Sequence, residues 1–174
     1  MTYKRLLPFN GWAAIVSAAA RLLAAGLILA AILLGGIPEL AVVVTLLIAD
    51  IFLVFALLGV FGCQIEELGE YGFLGFVLAE IGVMVSLADF FPPAGSVIFL
   101  AGLLLIALRN QRSSILPPGG MWSWFAGSLI AAAAASAGYA LLTVAGMLLA
   151  GSGLFWTGMH LLQISRPPPD PPER

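Results

Sequence analysis

Residues 122–164 read WSWFAGSLIAAAAASAGYALLTVAGMLLAGSGLFWTGMHLLQI, and the way this run is divided decides the fold. As one helix it would be about 65 Å long at a rise of about 1.5 Å per residue, roughly twice the thickness of the hydrocarbon core of a bilayer. It therefore has to turn. The expected break is Ala137-Gly138-Tyr139, where glycine weakens a helix and tyrosine favours the membrane interface. The run then supplies two spans, about 122–137 and 139–164.

Working back along the chain, four further apolar stretches reach the length of a span, at about 11–34, 40–63, 72–88 and 94–108. The breaks between them have chemical causes. Gly35-Gly36-Ile37-Pro38-Glu39 is a turn signal, and Gln64 to Tyr71 is polar and acidic, which suggests a solvated loop. Asp89-Phe90-Phe91-Pro92-Pro93 stops one helix and starts the next, because proline lacks an amide hydrogen yet suits a first turn. The fourth span is short. It needs Pro92 or Pro93 to begin it and Arg109 to snorkel at its end. Lys4 and Arg5 before an apolar run resemble a signal peptide, but the run is too long for one and contains Arg21, so it is read as a retained first span.

The sequence thus predicts an all-α fold: a polytopic bundle of six transmembrane helices in one domain, residues 1–164, followed by a proline-rich tail, 165–174, too rich in proline to be helical. Composition agrees, since 61% of the chain is hydrophobic and only 9% charged, against about a quarter charged in an ordinary soluble domain. The seven basic residues form no patch, so nucleic acid is not an expected partner; the lipid bilayer is. Basic residues favour the cytoplasmic side. Six spans with the N-terminus inside put Lys4, Arg5, Arg109, Arg112, Arg166 and Arg174 all inside, whereas five spans would send the last two out. Both termini are accordingly expected to be cytoplasmic, in a multi-pass protein of the cell membrane.

Three ionisable residues interrupt the apolar spans: Arg21 in the first, Asp50 in the second and Glu80 in the third. Counted from the span ends, each lies about 12 to 15 Å into the bilayer, so the three are expected to meet near the midplane. Each costs about 2.5–3.5 kcal/mol on insertion scales, and they should therefore face the interior and pair. Arg21 can neutralise one acid; pairing with Asp50 would leave Glu80 among Phe76, Val77, Val83 and Met84. Two readings stay open. The favoured one is a structural clasp in a non-enzymatic accessory membrane component, because no further acid or histidine extends a pathway from the three; the alternative is the working site of a small transporter or proton-coupled channel.

Small residues recur at helical spacing in Gly72, Gly75, Ala79, Gly82 and Ser86, and in Ser128, Ala132 and Ser136. Such rows let backbones approach closely, within one bundle or, in a homo-oligomer or membrane complex, between chains. Trp122, Trp124 and Trp156 with Tyr3, Tyr71 and Tyr139 suit an aromatic belt. The lone His160 and the lone Cys63 offer neither a metal site nor an intramolecular disulfide, and no cofactor is expected. There is no His-Glu-x-x-His, Gly-x-Ser-x-Gly, phosphate-binding glycine loop or CxxC, which makes an enzyme the least favoured class. A membrane enzyme would have to use Glu66, Glu67, Glu70 and His160.

Gly11-Trp12-Ala13-Ala14 at the start of the first span, and Ile115-Leu116-Pro117-Pro118 with Trp122 between the fourth and fifth, resemble the small six-helix integral membrane proteins of bacteria that have no established activity. The resemblance covers the whole chain in layout. It implies a bacterial cell membrane and carries over no functional residue.

Overall fold

The computed structural model describes residues 6–36, 39–87 and 92–165, without the side chains of residues 65–68 and 92–93. These residues form six helices and no strand. They are α1 (Leu7–Leu34), α2 (Glu39–Gln64), α3 (Gly69–Leu87), α4 (Pro92–Ser113), α5 (Pro118–Ser136) and α6 (Ala140–Ile164). α1, α2, α3, residues Ala94–Ser113 of α4, and α6 are long and apolar enough to cross a membrane. α5 falls short of that measure, its glycine, serine and tryptophan residues offsetting its alanines.

The decisive run divides where glycine allows it. Ala137 closes α5, Gly138 takes a left-handed φ of 77°, and Tyr139 precedes α6. Gly35 caps α1 in the same left-handed conformation, its N–H donating to the Ala31 carbonyl at 3.1 Å. Pro92 and Pro118 begin α4 and α5, where their missing amide hydrogens cost nothing. The stretch Gln64–Tyr71, expected as a solvated loop, is instead helical on both sides of one residue. Gly69 has φ 57° and ψ −164°, a region open essentially to glycine alone, and breaks the helix without any connecting segment. The polar residues there terminate helices and do not form a loop.

Close approaches fix the direction of each helix. On α5 and α6, a Cβ added to Gly120 would touch Thr157, one on Gly127 would overlap Ala150, and one on Gly146 would overlap Ala131, so numbers rise on one helix as they fall on the other. The same antiparallel register joins Gly75, Gly82 and Gly95 to Ile106, Phe99 and Ser86 across α3 and α4, and Gly11, Gly158 and Gly151 to Leu162, Ala14 and Leu22 across α1 and α6. α1 and α2 are antiparallel too, as Phe9 meets Phe55 edge-on at 5.4 Å while Ser17 bonds Ala49. Contacts run from α1 through α2, α3, α4 and α5 to α6 and back to α1, which closes the bundle as a ring. Because α6 runs against α1, α5 must carry the chain back along the bundle, and both ends of the described chain lie at one end of it.

Packing is dense at that end and thinner at the other. The main core joins Leu7, Leu53, Leu57, Leu103, Ile106, Trp124, Leu154 and Leu161. A smaller second cluster around Ala24, Ala25, Val144 and Met147, with Ile28, Leu46 and Ala131 packed against it, lies in the far half. Trp124 is fully buried and stands 6.4 Å from Phe99, so it belongs to the core and not to the expected aromatic belt. Tyr71, Tyr139 and Trp156 are exposed. Leu33, Leu34, Leu40 and Val97 turn outward in the same way, on a surface suited to lipid. Tyr3, Lys4, Arg5, Asp89, Arg166, Arg174 and the remainder of the tail lie outside the described residues, as do the side chains of Glu66 and Glu67.

Candidate functional site

Arg21 stands halfway along α1 and Asp50 about as far along α2, and the antiparallel register brings them level. Arg21 Nη2 donates to Asp50 Oδ1 in an ion pair. Beside it the buried Ser17 hydroxyl donates to the Ala49 carbonyl at 2.7 Å, so α1 and α2 are tied twice at one height. The two charged side chains retain 18% and 26% of their exposure, which means that they are not sealed into the core. They open onto a cavity of about 290 Å³.

Every helix lines this cavity. Arg21 comes from α1, Asp50 from α2, Ser86 from α3, Ser96 from α4, Ser128 and Ala132 from α5, and Thr143 from α6. Its lining runs from Val83, Phe99 and Ala150 at the edge of the main core to Leu46, Ala131 and Met147 of the second cluster. The hydroxyls differ in their engagement: Thr143 Oγ1 donates to the Tyr139 carbonyl at 3.0 Å within its own helix. Arg21 Nε is buried without a hydrogen-bond partner. A guanidinium has five N–H donors in a fixed fork, so the ion pair with Asp50 leaves hydrogen-bonding capacity beside the cavity.

Glu80 is placed elsewhere. On α3 it precedes Ser86, which shares the cavity wall with Asp50, by about one and two-thirds helical turns, or about 9 Å along the axis. It does not line the cavity, and its Oε1 is buried without a partner. Of its expected neighbours, Phe76 stacks on Phe61 of α2 at 4.5 Å, Val83 is buried, and Met84 turns outward. The structure therefore brings together two of the three intramembrane charges and leaves Glu80 at the α2–α3 seam.

The row of small residues on α3 packs against α4, with Gly75, Ala79, Gly82 and Ser86 all in close approach. The row on α5 does not serve that purpose. Gly120, Gly127 and Ala131 form the α6 contact, while Ser128 and Ala132 line the cavity and Ser136 is exposed.

A second polar cluster was not apparent from the sequence. Gln64 and Asn110 are fully buried. Gln64 donates to Asn110 Oδ1, and Asn110 brackets Leu116 by accepting from its N–H at 3.1 Å and donating to its carbonyl at 3.0 Å. His160 Nε2 donates to the Ile115 carbonyl at 2.9 Å. Together they pin the α4–α5 connection to α2 and α6. His160 thus clamps the α4–α5 connection through Nε2, and Glu70 on α3 is exposed. Among the described residues no group of three or more His, Cys, Asp or Glu side chains is placed to hold a metal ion.

Fold and site together define a class: an all-helical bundle with apolar helices compatible with membrane spans and a central cavity built on an ion pair. No family model, no curated protein and no solved structure matches the chain.

Proposed function

We propose that this is a six-span protein of the bacterial cell membrane, with both termini cytoplasmic, whose central cavity receives a small polar solute from the outer side. It is thus a small transporter or solute-binding membrane component. One observation carries the reading. Beside the cavity at Arg21 and Asp50 lies a hollow of about 240 Å³ that shares Ala135 and Thr143 with its lining and reaches Gly138 and Ala140 at the α5–α6 turn, and this hollow supplies the proposed path. A charge pair that merely fastened α1 to α2 would need neither a cavity lined by all six helices nor a path from it to a bundle end.

The orientation rests on charge. Arg109 and Arg112 lie at the end where α1 begins and α6 finishes, and Lys4, Arg5, Arg166 and Arg174 adjoin that end in sequence. Such asymmetry marks the cytoplasmic side, so the path opens outward. The layout resemblance to small bacterial six-helix proteins agrees with this placement. A second reading, a structural clasp in an accessory membrane component, draws on the paired ties Ser17 to Ala49 and Arg21 to Asp50. Glu80 has no part in the solute site.

Thiol labelling in intact cells tests the proposal, on a background with Cys63 replaced by alanine. Ala132→Cys and Thr143→Cys should react with a membrane-impermeant maleimide added outside, and Val97→Cys, on the outer surface of α4, should not. If both cavity positions stay unlabelled, the clasp reading prevails.

A further inference from the structure

The cavity holds one cation and one anion. A ligand with net charge, bound between them, would leave a charge unbalanced at mid-depth, where each uncompensated charge is costly. A ligand carrying both signs would leave none. We infer that the cavity binds a small zwitterion, its anionic group on Arg21 and its ammonium group on Asp50. The inference rests on the solute-site reading above and names the chemical class of the solute.

Arg21 carries the first half of the argument. Its Nε is buried with no partner, next to the Nη2 that holds Asp50. Nε and Nη2 together form the side of the guanidinium that grips a carboxylate with two parallel hydrogen bonds. An anionic group entering the cavity takes over Nη2 from Asp50, and a turn of the guanidinium toward the cavity would bring it the idle Nε–H as well. Asp50 is then released from its partner and needs a new cation, which the same ligand brings. One ion pair becomes two, and the net charge of the site is unchanged.

The remaining walls set size and exclude competitors. About 290 Å³ admits a molecule of amino-acid size. Ser86 and Ser128 bring hydroxyls to the wall without adding charge, and Ala132 and Leu100 leave room for a short side chain. A simple anion would strand Asp50, and a simple amine would strand Arg21. The same pairing could be made by a free solute or by the phosphate and ammonium of a phosphatidylethanolamine headgroup, which share this chemistry.

The full chain, purified in an uncharged maltoside detergent, would be heated with each of five probes at 10 mM: L-alanine, L-serine, acetate, ethylamine and glycerol. A sixth arm would add mixed micelles of phosphatidylethanolamine, with phosphatidylglycerol as control. We expect alanine or serine to raise the unfolding midpoint by a few degrees, as ligand linkage requires, and acetate, ethylamine and glycerol to leave it unchanged. Asp50→Asn should weaken the response at least tenfold. Ala132→Leu, which fills the cavity without touching the charges, should abolish the response while the protein still folds. A rise with phosphatidylethanolamine alone, lost in Ala132→Leu, also supports the zwitterion and makes the lipid its source. A rise with acetate, ethylamine or glycerol, lost in Ala132→Leu, overturns the zwitterion but keeps the solute site. No rise with any probe overturns both.

Discussion

At the residue scale, the charges that ought to be most costly are the ones that organise the bundle. Arg21 and Asp50 compensate each other across α1 and α2. Removing one of them should therefore be worse than removing both. Arg21→Met is expected to lower stability by roughly 3 kcal/mol or more, because Asp50 is left uncompensated, and Arg21→Met with Asp50→Asn should recover most of that loss. Reversible unfolding in mixed micelles measures the cycle. The double variant is also informative beyond stability: it should fold and yet fail to respond to a zwitterion, which a mere clasp would not require. The sequence made this pair legible, since two opposite charges at matching depth on consecutive spans have little alternative. It did not make Glu80 legible, because matching depth by counting from span ends ignores the offset between helices, and on α3 it is Ser86 that shares the cavity wall with Asp50. Gln64 and Asn110 were hidden for a related reason: polar residues near span ends read as interfacial until the α4–α5 connection folds back over them.

At the element scale, glycine and alanine faces let the helices approach closely, as expected where van der Waals contact drives association, and large side chains fill the core at one end of the bundle. A Cβ on Gly127 would overlap the Ala150 backbone, and one on Gly26 would meet nothing. Gly127→Leu is accordingly expected to force α5 from α6 and sharply lower the yield of folded protein, while Gly26→Ala should be neutral to within about 1 kcal/mol; size-exclusion profiles in detergent compare them. The number of helices was readable from the apolar stretches, five of them long and apolar enough to cross a membrane, and the α5–α6 break from Gly138. The α2–α3 junction was misread because acidic residues in a row signal a loop, whereas the reversal needs only Gly69 and its unusual backbone angles. Trp124 was misread because tryptophan near a span end fits a belt as well as it fits a core. Which face of α5 meets α6 was not decidable from spacing, since small residues cover nearly its whole circumference.

At the scale of the whole molecule, six helices in alternating direction return the chain to the end where it began. Cysteines introduced at Leu6 and Ser165, on the Cys63-free background, should therefore share one accessibility in sealed, oriented vesicles: both protected or both labelled. Opposite results would mean that α5 does not cross. The cavity itself could not be read from the sequence, because it belongs to no helix; it appears only where six lining faces fail to fill the space between them. Its position has an electrical consequence. From Arg21 back to Leu7, and from Asp50 on to Gln64, roughly 20 Å of helix remains, occupied by the main core. If water reaches the ion pair, the membrane potential falls across that packed layer alone and not across the full thickness. An ion moved from the cavity to the inner face would then do nearly the whole electrical work of crossing, about 2.3 kcal/mol per charge for each 100 mV, and a molecule with balanced charges would do almost none.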